Sequence, residues 1–208
     1  MALEITWISH ASFRLAGSRV VYIDPWKISS SPRDGNVVFV SHSHHDHCSP
    51  ADVEKVRAAD GVVVGPADVI EQIGAGKVLP PGQSLQVDGV KISGVPAYNV
   101  AKAFHPKANN WLGAVIEMDA VSVYYAGDTD QVEEMEQLSG IDVALLPVGG
   151  TYTLNAAEAA KAADAIGPKA AIPYHFGDIV GSASDAEKFA AAAACKVHVL
   201  RPGQSISV

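Results

Sequence analysis

Cysteine is scarce in this chain: Cys48 and Cys195 are the only two, and no Cys-x-x-Cys pair occurs. This usage excludes a disulfide framework and is typical of a protein kept in a reducing compartment. The N-terminal residues also lack the basic flank and the apolar core of a signal peptide. We therefore expect a cytoplasmic protein.

Long apolar runs and an excess of positive charge are missing as well. No run approaches the roughly 18 apolar residues that a membrane-spanning helix needs, so no membrane association is expected. The formal net charge of −8 argues against broad binding to nucleic acid or to anionic membrane surfaces. The content of 48% hydrophobic and 18% charged residues over 208 positions is typical of a globular protein, and we expect residues 1–208 to form a single domain.

Two successive halves of the chain each begin with a β-rich stretch and continue with alternating strands and helices. This order predicts two sheets packed face to face with helices outside, an α/β architecture. Strands are predicted at residues 3–8, 12–15, 19–24, 36–41, 62–64, 84–87, 90–96, 112–118, 121–125, 143–148, 170–173, 196–200 and 205–208. Helices are predicted at residues 50–59, from 66, near 131–138, and at 155–166 and 184–194. Capping boxes, Asn155-x-x-Glu158 and Ser184-x-x-Glu187, support the last two helices.

The most informative feature is the run His42-Ser43-His44-His45-Asp46-His47. It follows the apolar, β-branched stretch 36–41 and precedes a helix start, with Ser49 as N-cap and Pro50 at the first helical position. The run therefore lies in a loop at the carboxyl end of a strand. Imidazole and carboxylate are the ligands that bind zinc, iron or manganese, so the run predicts a metal site.

Two further candidate ligands follow predicted strands. Asp128 comes after the strand at 121–125, and His175 comes after the strand at 170–173. If these strands are adjacent and parallel, both side chains converge on the loop 42–47. Alone, a turn aspartate or a strand-end histidine is usually structural. The histidine run makes metal ligation the better interpretation here.

These motifs, in this order, resemble those of the metallo-β-lactamase superfamily. The matching segments are Ser-His-x-His-x-Asp-His at 41–47, Ala-Gly-Asp-Thr at 126–129 and Pro-Tyr-His at 173–175. Upstream, segments 7–13 and 22–26 resemble the ascorbate-6-phosphate-lactonase-like branch of small hydrolases. The resemblance covers nearly the whole chain. It implies a four-layer αβ/βα sandwich, the metallo-β-lactamase fold, with a binuclear site at one edge of the sheets.

The resemblance also implies a ligand set for two divalent metal ions. His42 and His44 would hold the first ion. Asp46, His47 and His175 would hold the second, and Asp128 would bridge the two. Zinc is the expected metal, although the same ligands accept manganese, nickel and iron.

The chain departs from the family pattern at one position. The family usually supplies a third histidine to the first metal from a strand end between the two motifs, and Asn99 stands at the matching place. Asparagine is a poor zinc ligand, so the first site would be weakened and its occupancy partial. His105, six residues on, is a candidate substitute, either as a ligand or as a group that binds the substrate. An exposed loop histidine is the alternative.

Other polar residues are candidates for supporting roles. Asp24 lies at a strand end, where its carboxylate could orient a ligating imidazole through the other ring nitrogen. His10 could form a hydrogen bond near the site, or it could be a packed core histidine. Asp46 is the candidate for orienting the nucleophile and accepting its proton. His105 or His10 is the candidate for protonating the leaving group.

The expected function is a metal-dependent hydrolase that attacks a small anionic ester, lactone or phosphodiester with hydroxide generated from water by the cations. Lys102, Lys107 and Arg33 are candidates for local positive charge, and the 149–153 turn is a candidate lining of the site. Two alternatives stay open: a di-iron redox enzyme on the same fold, and a non-catalytic metal-binding or scaffold protein. The oxygen-reducing members normally have a carboxylate where this chain has His44, and no flavin domain is attached. The sequence is also compatible with a homo-oligomer.

Overall fold

The first seven-stranded sheet joins the N-terminal strands to the C-terminal one. The structure is a computed structural model, which describes residues 2–208. In spatial order the sheet contains β14 (Ser205–Ser207), β1 (Glu4–Ser9), β2 (Ser12–Ala16), β3 (Val20–Ile23), β4 (Gly35–Phe39), β5 (Arg57–Gly65) and β6 (Lys77–Val78). From β3 to β6 the strands are parallel, and the other neighbours are antiparallel.

The second seven-stranded sheet is built from the middle of the chain. In spatial order it contains β13 (Lys196–Val197), β12 (Ala170–Tyr174), β11 (Val143–Pro147), β10 (Val121–Tyr125), β9 (Leu112–Met118), β8 (Val90–Pro96) and β7 (Ser84–Val87). From β10 to β13 the strands are parallel, and the rest are antiparallel. Each sheet therefore has a parallel half, and the loops after its strands carry the six residues predicted as metal ligands.

One buried cluster joins the inner faces of the two sheets, and helices cover the outer faces. Strand β4 shows how the sequence specifies this: Val37 and Phe39 belong to the cluster between the sheets, whereas Val38 and Val40 pack on the helix side. Helices α1 (Pro50–Val56) and α2 (Ala67–Ile73) pack on the first sheet, and α3 (Ala156–Ile166) and α4 (Ala183–Ala192) pack on the second. The expected four-layer αβ/βα sandwich, the metallo-β-lactamase fold, is confirmed.

The local signals were correct at two helix starts. Ser49 caps α1 by accepting a hydrogen bond from the Asp52 amide, with Pro50 as the first helical residue. Asn155 and Glu158 form the expected capping box of α3. Each helix is the next element in the chain after a parallel strand, β4 or β11, so its cap marks where the intervening loop ends.

Several predicted elements differ from the structure. Helix α1 ends at Val56 because Arg57 turns extended and pairs with β4. The box predicted from Ser184 is wrong: α4 begins at Ala183, and the Ser182 amide donates to Asp185 at 2.9 Å. The helix predicted near 131–138 is only a 3-10 turn at Glu133–Gln137, and a second 3-10 turn covers Lys107–Asn109. In the described part of the chain, no helix is long and apolar enough to cross a bilayer.

Candidate metal centre

Side chains from both sheets meet at the candidate site. His47 belongs to the loop after β4 in the first sheet, whereas Asp128 and His175 follow β10 and β12 in the second. His47 Nε2 lies 3.3 Å from Asp128 Oδ1, and His175 Nε2 lies 3.1 Å from Asp128 Oδ2. The expected convergence is present, but not for the expected reason. The strands are not adjacent, since β11 separates β10 from β12 and β4 lies in the other sheet.

The first group of side chains consists of His42, His44 and His105, which have potential ligand atoms within 4.8 Å of one another. Trp111 packs against these imidazoles, with ring centroids 5.0 Å from His42 and 4.7 Å from His44. His105 is 1% exposed, so the alternative of a solvent-exposed loop histidine is wrong. The three nitrogens are close enough together to hold one metal ion.

The second group consists of His10, Asp46, His47 and His175, again with potential ligand atoms within 4.8 Å of one another. Asp128 lies between the groups, because its Oδ2 is also 3.3 Å from His105 Nε2. All six residues that the sequence predicted as ligands therefore lie at one place, together with His105 and His10.

Asp24, which follows β3 of the first sheet, forms hydrogen bonds with residues at the site. Its buried carboxylate accepts hydrogen bonds from His47 Nδ1 at 2.7 Å, the Ser41 hydroxyl at 2.6 Å and the Tyr125 hydroxyl at 2.6 Å. The contact predicted between Asp24 and a candidate ligand imidazole is present. Because Nδ1 of His47 donates its proton to Asp24, Nε2 is the ring nitrogen left to face the site.

Ser41 fixes His42 in the same way. Since the Ser41 hydroxyl donates its hydrogen to Asp24, it can only accept from His42 Nδ1, at 2.9 Å. The Nε2 atom of His42 is then the unprotonated one. Two candidate ligands therefore have a tautomer set by one buried carboxylate.

Asn99 turns out to support His105. Its Oδ1 accepts hydrogen bonds from the amide and from Nδ1 of His105, at 3.0 and 3.1 Å. Its amide nitrogen donates to Asp130 at 3.2 Å and to the Tyr152 carbonyl at 2.9 Å, which fixes which end of the side chain faces His105. Nδ1 of His105 is thus the protonated nitrogen, and Nε2 presents its lone pair to His42 and His44.

The candidate ligand atoms fit a metal ion only if other groups do not already bind them by hydrogen bonds. Buried polar atoms are nearly always hydrogen-bonded. At this site seven are not. Five of them are the Nε2 atoms of His42, His47, His105 and His175 and Oδ1 of Asp128, and the other two are Nδ1 of His10 and Nδ1 of His175. Four imidazole nitrogens and one carboxylate oxygen without partners fit the donor set of divalent transition-metal ions.

The charges agree with this fit at Asp128, His42 and His44. Burial would raise the pKa of Asp128, but His175 and His47 outweigh it and hold that pKa well below the usual range. Burial and the neighbouring His47 lower the pKa of His42, and burial and His105 lower that of His44. Asp128 is therefore ionised and the two histidines are neutral at pH 7, which are the forms that bind cations. At His47, burial lowers the pKa, but Asp128 and Asp24 outweigh burial and raise that pKa well above the usual range, so a bound cation would have to displace a proton there.

His10 is buried at the site, and its role was the least visible in the sequence. Its Nε2 lies 3.2 Å from Asp46 Oδ2, and its ring centroid is 4.1 Å from that of His175. Its carbonyl accepts from the His175 amide at 3.1 Å and from the Trp7 indole at 3.0 Å. His10 (φ 40°) and His175 (φ 61°) both have left-handed backbone, a strain that tends to occur at functional sites.

The residues expected to supply positive charge are directed elsewhere. Lys102 binds Asp130 and the Thr153 carbonyl, and Lys107 binds the Tyr98 hydroxyl and Glu134. Arg33 is an exposed residue that does not line the site cavity. None of these three residues lines the site cavity, so their contribution of positive charge to a bound substrate stays a prediction.

Comparisons with known proteins agree with the fold and show the family of the chain. Residues 4–175 match the family described as the β-lactamase superfamily domain. The chain is 31% identical over 225 residues to a UPF0173 metal-dependent hydrolase of Thermococcus onnurineus, covering 99% of this chain and 100% of the relative. A candidate metal-dependent hydrolase from Parabacteroides distasonis aligns with a TM-score of 0.85 at 30% identity, over 97% of this chain and 94% of that one. Igni18, a metallo hydrolase from Ignicoccus hospitalis, has a TM-score of 0.81 at 24% identity, over 100% and 99% of the two chains, which is a likeness of fold.

Proposed function

Because this chain belongs to the β-lactamase superfamily, and there to the UPF0173 metal-dependent hydrolases, we propose that it cleaves a small ester, lactone or phosphodiester at a centre of two divalent cations. Zinc is the metal we propose, because the donors are mainly neutral imidazoles with carboxylates. The observation that carries the proposal is the cluster of buried atoms without hydrogen-bond partners, in particular Nε2 of four histidines and Oδ1 of Asp128, which could all bind a metal ion.

The ligand assignment follows the two groups. His42, His44 and His105 would hold one ion. Asp46, His47 and His175 would hold the other, and Asp128 would contact both. Asn99, Ser41 and Asp24 would keep three of the imidazoles in the tautomer that binds metal. His105 is thus proposed as a ligand and not as a proton donor, since its only ring N–H is given to Asn99.

When bound, such ions supply a nucleophile from water near neutral pH and polarise the bond that is attacked. Asp46 lines the cavity above the site, and its pKa is lowered: burial opposes the charged form, but the His10 hydrogen bond and His47 outweigh it. An ionised carboxylate facing the cavity can orient the attacking water and take its proton. His10 holds Asp46 in that orientation.

His44 and His105 favour this function over the two alternatives. His44 puts an imidazole where the oxygen-reducing members carry a carboxylate. The non-catalytic alternative depended on a missing third histidine, and His105 stands beside His42 and His44.

The proposal is tested by removing and restoring the metal. Chelated protein should lack hydrolytic activity on chromogenic esters, lactones and phosphodiesters, and zinc or manganese should restore it as metal content rises to two per chain. Activity that survives with less than a tenth of a metal ion per chain, roughly, would contradict the proposal.

A further inference from the structure

A small cavity opens above the candidate ligands. Its volume is about 240 Å³, and Asp46, His44 and Asp128 are among the residues that line it. Binding sites for drug-sized ligands are typically about 300–1,000 Å³, so this cavity suits a compact substrate. Whatever fills it lies directly beside the proposed metal centre.

The rest of the cavity wall is apolar. Phe104, Tyr152 and Ile179 line it, and the Phe104 ring stands edge-on to Tyr152 with centroids 4.7 Å apart. Phe104 is 47% exposed and Ile179 is 42% exposed. A single exposed apolar side chain is ordinary, but two beside an aromatic partner on one cavity mark a surface that contacts a ligand.

Two of these side chains, Phe104 and Ile179, belong to loops that carry candidate ligands. Phe104 directly precedes His105, and Ile179 lies four residues after His175. The apolar wall is therefore held in a fixed position relative to the proposed metal centre.

No lysine or arginine lines this cavity anywhere in residues 2–208. The nearest candidates in sequence have other partners: Lys102 binds Asp130, and Lys107 binds Glu134 at 3.1 Å. A carboxylate or phosphate of the substrate placed against the apolar wall would lose its water without gaining a cation, which is unfavourable.

We infer that the part of the substrate beyond the cleaved bond is uncharged and apolar, a compact aryl or branched alkyl group seated against Phe104, Tyr152 and Ile179. The inference rests on the proposed function, which supplies the cations and the cleaved bond. It narrows the substrate class to compounds that carry no charge beyond the cleaved bond, in place of the generally anionic substrate that the sequence suggested. An aryl group gains both apolar burial and edge-to-face contact with the aromatic pair.

The test measures binding and therefore does not depend on turnover. Three hydroxamic acids share one metal-chelating head group: acetohydroxamate, benzohydroxamate and 4-carboxybenzohydroxamate. Their dissociation constants are measured by calorimetry on the zinc-loaded full chain. Benzohydroxamate should bind at least about tenfold more tightly than both others, because only it places an uncharged ring against the wall.

Variants then locate the effect. Phe104→Ala should weaken benzohydroxamate about tenfold and leave acetohydroxamate and the metal content unchanged. Ile179→Lys should reverse the preference in favour of 4-carboxybenzohydroxamate. Val100→Ala is the matched control, since Val100 lies in the same loop as Phe104 and is 69% exposed but does not line the cavity.

The outcomes separate the inference from the proposed function. If acetohydroxamate does not bind the zinc-loaded protein, the metal centre is wrong and the inference falls with it. If acetohydroxamate binds but the charged and uncharged aryl probes bind equally, the inference alone is wrong. Equal effects of Phe104→Ala and Val100→Ala would also overturn it.

Discussion

Asp128 is the side chain on which both halves of the proposed centre depend. Its Oδ1 lies 3.3 Å from His47 Nε2, and its Oδ2 lies 3.1 Å from His175 Nε2 and 3.3 Å from His105 Nε2. A carboxylate between two cations offsets their repulsion, so Asp128→Ala should release both metals and lower hydrolysis by more than about a hundredfold, the upper limit for a residue that only supports a ligand. His175→Ala should affect one metal more than the other.

This prediction requires metal content and activity to be measured on the same preparations, with circular dichroism as a check on folding. Asp128→Asn should lie between the wild type and Asp128→Ala, because an amide bridges cations poorly. Two metals and near-normal turnover in Asp128→Ala would reduce Asp128 to a turn residue.

Asn99 offers a second test, this time of support without ligation. Asn99→Leu removes the acceptor for His105 Nδ1 and should weaken metal binding at the His42–His44–His105 group by about 10- to 100-fold. In a His105→Ala background the same substitution should have little further effect on metal affinity, since the partner is already gone. Fully additive losses in this double-mutant cycle would show that Asn99 acts by another route.

Single residues were partly predictable. His42, His44, Asp46 and His47 could be identified because they form a contiguous run, and Asp128 and His175 because each ends an apolar strand. The pairing of Asn99 with His105 could not be predicted, because it depends on how an irregular loop folds back on itself over six residues. The sequence showed only that asparagine binds zinc poorly, and so it suggested a defect where the structure has a support.

At the scale of the element, the turn after β10 is sterically constrained. Gly127 has φ +69°, and a Cβ atom there would lie 2.7 Å from the Leu112 carbonyl of β9. Only glycine permits both the left-handed turn and this close approach, and the turn aims Asp128 at the histidines.

Gly127→Ala should therefore lower the free energy of unfolding by more than the left-handed backbone conformation alone explains. Gly140→Ala is the matched control, because Gly140 has φ +68° and nothing within 4 Å of its Cβ position. Each substitution should cost about 1–2 kcal/mol for the left-handed conformation. The clash should add about 1–3 kcal/mol at Gly127 only. Urea unfolding measures both values, and equal losses would remove the steric argument.

Elements were predictable where several signals agreed. The apolar strands and the caps at Ser49 and Asn155 combine periodicity with local hydrogen bonding. The errors occurred where tertiary contacts decided the outcome. Residues 57–59 were predicted to be helical, but they belong to β5, which pairs with β4. The short β6 carries too few residues for any pattern.

At the scale of the whole molecule, the site joins the two sheets. Asp24, from the end of β3, accepts a hydrogen bond from Tyr125 of β10 as well as from His47. A ligand that binds only the folded chain stabilises it, by about 2.7 kcal/mol at a hundred times its dissociation constant. For a chain of this size that corresponds to a rise in Tm of roughly 5–10 °C.

Zinc should therefore raise the Tm of the wild type and of His45→Ala, whose side chain is 83% exposed. It should not raise the Tm of Asp128→Ala. Differential scanning calorimetry with and without zinc measures these shifts. An equal rise in all three proteins would indicate binding elsewhere on the chain.

The two-sheet sandwich followed from the order of β-rich and mixed segments, but the meeting of the sheets at the site did not. Strand order across two sheets is set by long-range packing, which periodicity does not record. Adjacent strands were the simplest way to bring Asp128 to the histidines, and the structure instead uses the common edge of both parallel halves.

The most direct test of the two-metal centre is an anomalous-difference map at the zinc edge from crystals of the zinc-loaded protein. The account predicts two peaks, one on each side of Asp128. One peak should contact His42, His44 and His105, and the other should contact Asp46, His47 and His175. A map with no peak beside Asp128 would contradict the two-metal centre. A map with a single, fully occupied peak that His105 does not contact would contradict it as well.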